Sequence, residues 1–354
     1  MKLSSLFKEK AYAFSQAGNS EDDCKFAATL LSKTHPDIIF TDISLWSVTD
    51  HYDVFMALDN KSRFFKLKIS LSDPDGFLKK ESVVLRRTDS PSVPILVDYG
   101  TIKIGEKVTY LLSRVPAGES IRSHGRSGLI NELDLFFKSY WAFANTHNVK
   151  PTYKKIINHF ASHLIPENSL GAESLEALKE YSNYDLCVEL LSSLRADILT
   201  HFKDIHEELN KKCHGGLSLD SIFYYGGGFY FEELHNVCMG HPYIDFCDLL
   251  IEMGSPEHND IVLWRMFCKS GSIPEDRELY EKIYAMCIRK KLADLLISYI
   301  KEVYLYDAFR YEEIFHIADS FSHAYPRFRE IESFAENKDF IMKTICEPIF
   351  GVKA

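Results

Sequence analysis

An α+β fold in two lobes is expected from three features of the chain. Segments rich in β-branched and aromatic residues crowd the stretch before residue 115. Apolar residues at helical spacing dominate after Gly118. One glycine-centred island of strand character, around Gly226–Gly228, interrupts the helical part. The expectation is a small lobe with an antiparallel sheet plus one helix, then a large, mainly helical lobe carrying a β-hairpin. With 354 residues, 46% of them hydrophobic, the chain can bury a sizeable core.

The elements follow in order. Ser20 followed by Asp23 resembles a capping box, which opens a helix running to about Ser32. Residues 37–45, 52–58, 63–71, 94–99 and 108–114 read as strands. Asp59-Asn60-Lys61-Ser62 supplies turn chemistry, so residues 52–71 form a hairpin. Pro74-Asp75-Gly76 starts a helix over 77–88, with Phe77, Val84 and Leu85 on one apolar face. Beyond Gly118, helices are expected over 128–147, 152–163, 174–180 and 184–209, and again from Tyr243 to the end, punctuated by prolines. The triple glycine joins 222–225 to 229–231 as a second hairpin. This gives residues 1–35 as an N-terminal helical extension, 36–115 as the N-lobe and 116–354 as the C-lobe, whose hairpin lies within 213–233.

Composition narrows the function. Forty-one Lys and Arg against fifty-one Asp and Glu leave a formal charge of −10, which disfavours nucleic acid and anionic membrane surfaces as partners. No apolar run reaches the roughly 18 residues of a membrane span. Lys8, Glu9 and Lys10 break up the start, so no signal peptide is expected. The eight cysteines form no CxxC and read as reduced thiols, which places the chain in the cytoplasm.

Several motifs then carry chemistry in a recognisable order. A lysine on a strand, Lys68 in RFFKLKISL, precedes a glutamate on a helix, Glu81 in FLKKESVVLRR. Such a pair can form one ion pair aimed at phosphates. VPILVDYGT and YLLSRVPAGESI follow, then FANTHN, then His214-Gly215-Gly216-Leu217-Ser218-Leu219-Asp220-Ser221, and finally GHPYIDF. In this order and spacing the chain resembles the aminoglycoside phosphotransferase / choline kinase family, over roughly Leu45 to the last helices.

The resemblance implies a protein-kinase-like bilobal fold and ATP-dependent phosphoryl transfer to an alcohol group. It implies that Lys68 and Glu81 address ATP, and that Leu112 and Ser113 lie on the strand into the hinge that holds adenine. It gives Gly118 and Glu119 as the family's Gly-Glu dipeptide, and Ala144 and His147 as its helix end. It also exposes losses. The family's loop reads His-Gly-Asp-x-x-x-x-Asn; here His214 is kept, but Gly216 stands at the base position and Ser221 at the magnesium-binding Asn. The metal-binding Asp of the next strand falls on Glu233, or on Glu232 if the loop differs by one residue. Gly240, Pro242 and Asp245 are kept while His241 replaces an acid. The phosphate-covering segment, residues 47–53, has no glycine and carries Asp50 and Asp53, which would repel a triphosphate.

Two functions follow. The first is a degenerate member, a pseudokinase that binds a small molecule or a protein partner. The second is an active small-molecule kinase for an aminoglycoside, choline or sugar hydroxyl, with displaced acids such as Asp220 and Glu233, and with ATP and Mg2+ as cofactors. Against Asp220 stands the plain role of capping the turn into the next strand. Two other readings are weaker. Cys213-His214 is poorly placed for proton transfer, because adjacent strand residues point to opposite faces. His235-x-x-Cys238-x-x-His241 has zinc-like composition but lacks a second half at standard spacing.

Overall fold

The computed structural model describes residues 21–49, 52–71, 73, 76–124, 126–146, 151–170, 184–225, 227–254, 260–304, 311–329, 331 and 335. The helix expected over 174–180, most of the N-terminal extension, Asp50, His51 and His147 lie outside them. The fold is α+β, as expected. The chain divides into two compact units, residues 1–148 with 220–237 and residues 149–219 with 238–354. The expected lobe boundary at 115/116 falls inside the first.

The first unit is built on a five-stranded antiparallel sheet. Its strands are β1 (Phe40–Val48), β2 (Asp53–Asp59), β3 (Phe64–Ser70), β4 (Ile95–Ile104) and β5 (Glu106–Val115), in the order β1-β2-β3-β5-β4. Helix α1 (Glu21–Thr34) lays Ala27, Leu30 and Leu31 against one face. That face is made by Phe55 and Ala57 of β2, Phe65, Leu67 and Ile69 of β3, and Val108, Tyr110 and Leu112 of β5. Strand alternation then sends Lys66, Lys68 and Ser70 to the opposite face, where they are buried too. The sequence reading ended β4 near Tyr99. The strand instead runs on through Thr101-Ile102-Lys103-Ile104, and Gly105, at φ 72°, turns it directly into β5.

Helix α2 (Phe77–Arg87) buries Leu78, Glu81, Ser82, Val84 and Leu85. The spacing puts Glu81 in the middle of an apolar stripe, so its carboxylate enters the interior with it. Asp73 accepts from the amide of Leu78 at 3.2 Å and so anchors the start of the helix. β6 (Glu119–Ser120) pairs with β8 (Ile222–Tyr225), which pairs with β9 (Gly228–Phe231). The expected hairpin therefore exists, and the structure joins it to β6. Gly118 permits that approach: a Cβ there would come 2.7 Å from the Tyr224 carbonyl oxygen. The short helices α3 (Ile121–His124) and α4 (Arg126–Asn131) lead into α5 (Leu133–Thr146), where one helix was expected. Phe136 and Phe143 of α5 pack on Phe231 of β9.

The second unit is mainly helical, with α6 (Tyr153–His163), α7 (Pro166–Leu170), α8 (Tyr184–Ile205), α9 (Pro242–Met253), α10 (Asp260–Gly271), α11 (Arg277–Tyr304) and α12 (Tyr311–Phe328). α11 packs against α8, α9 and α12. Every residue of α9 is buried, its acids included. A two-stranded ladder that the sequence reading missed pairs β7 (Lys211–Cys213) with β10 (Cys238–Gly240). Both strands are only three residues long, too short for alternation to mark them.

Candidate functional site

In the first unit the predicted lysine–glutamate pair forms. Lys68 Nζ donates to Glu81 Oε1 at 3.0 Å and to Oε2 at 2.8 Å, with both side chains almost fully buried. The ammonium also lies 4.9 Å from the centroid of the Tyr52 ring. Burial works against the charge on Lys68. The nearby Glu81, Tyr52, Glu232 and Glu233 outweigh it, so the lysine pKa stands above its usual range and the residue stays cationic. Glu233 sits at φ 57°, ψ 41°, in the left-handed region, just before the 3₁₀ turn Leu234–Asn236. Burial pushes its carboxyl up, Lys68 pulls it down, and Glu81, Glu232 and Asp220 push it up again. Asp53, read as a charge that would repel a triphosphate, has a carboxyl raised to about 7 by burial and by Asp23.

The other expected metal acid, Glu232, is buried and paired with Lys66, whose ammonium also lies 4.6 Å from the Phe223 ring centroid. Lys66 is two residues before Lys68 and so shares its strand face. The partner that buries it is 166 residues away, beyond any local pattern. Ser221 is fully buried, and its carbonyl oxygen accepts from the Glu232 amide at 2.9 Å. Asp220, the possible substitute acid, has a half-exposed side chain and accepts from Arg122 Nε at 2.7 Å. Leu112 and Ser113 lie mid-strand in β5, hydrogen-bonded between β3 and β4. Leu112 belongs to the core under α1. Residues that follow that strand, Pro116 to Glu119, line a cavity of about 620 Å³ together with Ser44, Trp46, Met56, Phe64, Lys66, Phe223 and the tyrosines of β8 and β9.

In the second unit the loop after β7 is pinned by buried acids of α9. Asp245 accepts from the backbone amides of His214 at 2.6 Å and Gly215 at 2.8 Å. Glu252 accepts from the Leu219 amide at 2.8 Å and from Lys291 Nζ at 2.5 Å. Asp248 is buried and faces Lys290 at 3.5 Å. Gly215, not Gly216, takes the positive φ of 81°. The frame of the loop is therefore held, and Gly216 offers no side chain within it. Cys213 opposes Cys238 across the β7–β10 ladder with sulfurs 3.6 Å apart. The hydrogen bond to Cys238, and then burial, push the Cys213 thiol well up, which keeps it protonated and a poor nucleophile. His241 caps α9, its Nδ1 accepting from the Tyr243 amide at 3.2 Å, and burial lowers its pKa to about 3. Among the described residues, no group of three or more His, Cys, Asp or Glu side chains is arranged to hold a metal ion. Among the same residues, no helix is long and apolar enough to cross a membrane.

No family model matches the chain, and no curated protein sequence does. Solved structures do. The apo form of a thermostable mutant of aminoglycoside phosphotransferase APH(4)-Ia matches with a TM-score of 0.55 at 14% identity, over 84% of this chain and 98% of that one. Spectinomycin phosphotransferase APH(9)-Ia, in complex with ADP and spectinomycin, matches at 0.53 and 11%, over 86% and 94%. The GDP complex of wild-type aminoglycoside 2'-phosphotransferase-IIIa matches at 0.53 and 14%, over 84% and 98%. The chain thus has the protein-kinase-like α+β fold of the aminoglycoside phosphotransferases.

Proposed function

We propose that this chain is a phosphotransferase-fold protein that has lost phosphoryl-transfer chemistry, a pseudokinase that binds a small molecule or a protein partner. The observation that carries this reading is Gly216. Asp245 holds the amides before it, so the loop is framed for a base, and no side chain fills the frame. The acids next along the chain are already engaged, Asp220 with Arg122 and Glu232 with Lys66. Base catalysis contributes about 10²–10⁴-fold, so its loss alone leaves slow turnover. Loss of the metal-binding Asn as well, with Ser221 buried in its place, removes charge neutralisation on which phosphoryl transfer depends.

A second reading is an active small-molecule kinase that uses ATP and Mg2+, with Glu233 as the displaced metal acid. It is favoured by the intact Lys68–Glu81 pair and by the nucleotides held in similar solved structures, ADP in one and GDP in another. A coupled ATP-consumption assay on purified protein with aminoglycosides, choline, ethanolamine and sugars separates the two. The first reading expects background consumption throughout. Turnover that disappears on Lys68→Ala would establish the second.

A further inference from the structure

The cavity of about 620 Å³ in the first unit stops at a definite place along the sheet. On the face of β3 away from α1, its wall takes in Phe64 and Lys66 and ends before Lys68. On β2 it takes in Met56, the cross-strand partner of Lys66, and leaves out Val54, the partner of Lys68. On β1 it takes in Ser44, which pairs with Met56, and Trp46. Glu81 and Glu233 do not line it. At the Lys66 rung the lysine reaches across to the Phe223 ring on β8 and pairs with Glu232 beyond β9. Strand rise places Lys66 and Lys68 about 7 Å apart, within the reach of a single phosphate tail.

We propose that the Lys66–Glu232 pair is a partition that sets what this cavity accepts: a compact aromatic molecule of nucleoside size, and not a ligand whose anionic tail runs on to Lys68. This rests on the reading above that the chain is a phosphotransferase-fold protein that binds a small molecule. The lining is rich in aromatic residues, with Trp46, Phe223, Tyr224, Tyr225 and Tyr230 among them. A triphosphate reaching Lys68 must separate a buried ion pair. It could compensate the Lys66 ammonium, but it would bring its own negative charge onto Glu232 and Glu233. A neutral nucleoside meets neither penalty. Lys66 and Glu232 are thereby specificity-determining residues, and Glu232 is withdrawn from metal binding by the same contact.

Titration calorimetry of the purified full chain with adenosine and with MgATP tests this, using wild type and the charge-neutral variant Lys66→Met/Glu232→Gln. Wild type is expected to bind adenosine at least tenfold more tightly than MgATP. The double variant is expected to gain at least tenfold in MgATP affinity with adenosine changed less than threefold, and adding Lys68→Ala is expected to reverse the gain. If the double variant does not fold, Glu232→Gln alone frees the Lys66 ammonium, and the same tenfold gain is expected of it. Equal binding of the two ligands to wild type, no binding of adenosine, or an unchanged ratio in the variants would overturn the partition. ATP turnover by the double variant would overturn the loss of chemistry proposed above and leave the partition standing. An unchanged ratio without turnover would do the reverse.

Discussion

Buried acids are handled in opposite ways in the two units. In the first, Glu81 and Glu232 each meet a lysine from the same face of β3, and the charges remain side chain to side chain. In the second, Asp245 and Glu252 spend their oxygens on backbone amides of the loop at 214–219. The first arrangement brings one of the two pairs, through Lys66, to the edge of a cavity, where a ligand could compete for it. The second turns acids into scaffolding and fixes a loop in which Gly216 offers no side chain. On the proposed reading, the supports of such a loop outlast its chemistry because they also satisfy buried backbone that would otherwise be costly.

The largest test of this contrast is Asp245→Ala. It strips the acceptor from two buried amides at about 1–3 kcal/mol each, so a loss of up to about 6 kcal/mol is expected in urea unfolding. A loss under 1 kcal/mol would mean that the loop is not held in this way. Next comes Lys68→Met, which leaves Glu81 buried without its partner and should cost about 3–5 kcal/mol. Lys68→Met/Glu81→Leu should recover most of that. If the double variant is as unstable as the single, the pair is held by packing and not by charge.

What could be read in advance follows the range of the interactions. Lys68 and Glu81 lie 13 residues apart on a strand and a helix with strong periodicity, and the sequence reading paired them. The strands were placed because β1 to β5 are long and rich in β-branched and aromatic residues. The Lys66–Glu232 contact was missed because its halves are 166 residues apart and a strand lysine reads as a surface charge. Asp245 was legible as a kept position of the GHPYIDF segment, and its two amide contacts make it a support of the loop. Its neighbours Asp248 and Glu252 look like a solvated i, i+4 pair until α11 brings Lys290 and Lys291 over them. The resemblance put Leu112 on the strand into the adenine-holding hinge, and the pleat places its side chain in the core under α1.

A third test concerns pH. His241 is lowered to about 3 in the folded chain from 6.5, so the unfolded chain binds its proton first as pH falls. Its contribution is fully present above pH 6.5 and is lost below it. About 2 kcal/mol should go between pH 6.5 and 5. His241→Asn, which retains a capping acceptor for the Tyr243 amide, should flatten that acid limb of the stability curve. An unchanged slope would show that the ring is free to protonate in place. The smallest effect is expected at Asp220, whose half-exposed pair with Arg122 is screened by water: Asp220→Asn should change stability by less than about 1 kcal/mol.

The central claim, that the loop is framed but has no chemistry, is tested most directly under single-turnover conditions. Protein in excess over radiolabelled MgATP is mixed with an aminoglycoside, and phosphorylated product is followed for hours in wild type and in Lys68→Ala. Product at the same background level in both is the predicted result. Product that accumulates in wild type and disappears in Lys68→Ala would contradict the account.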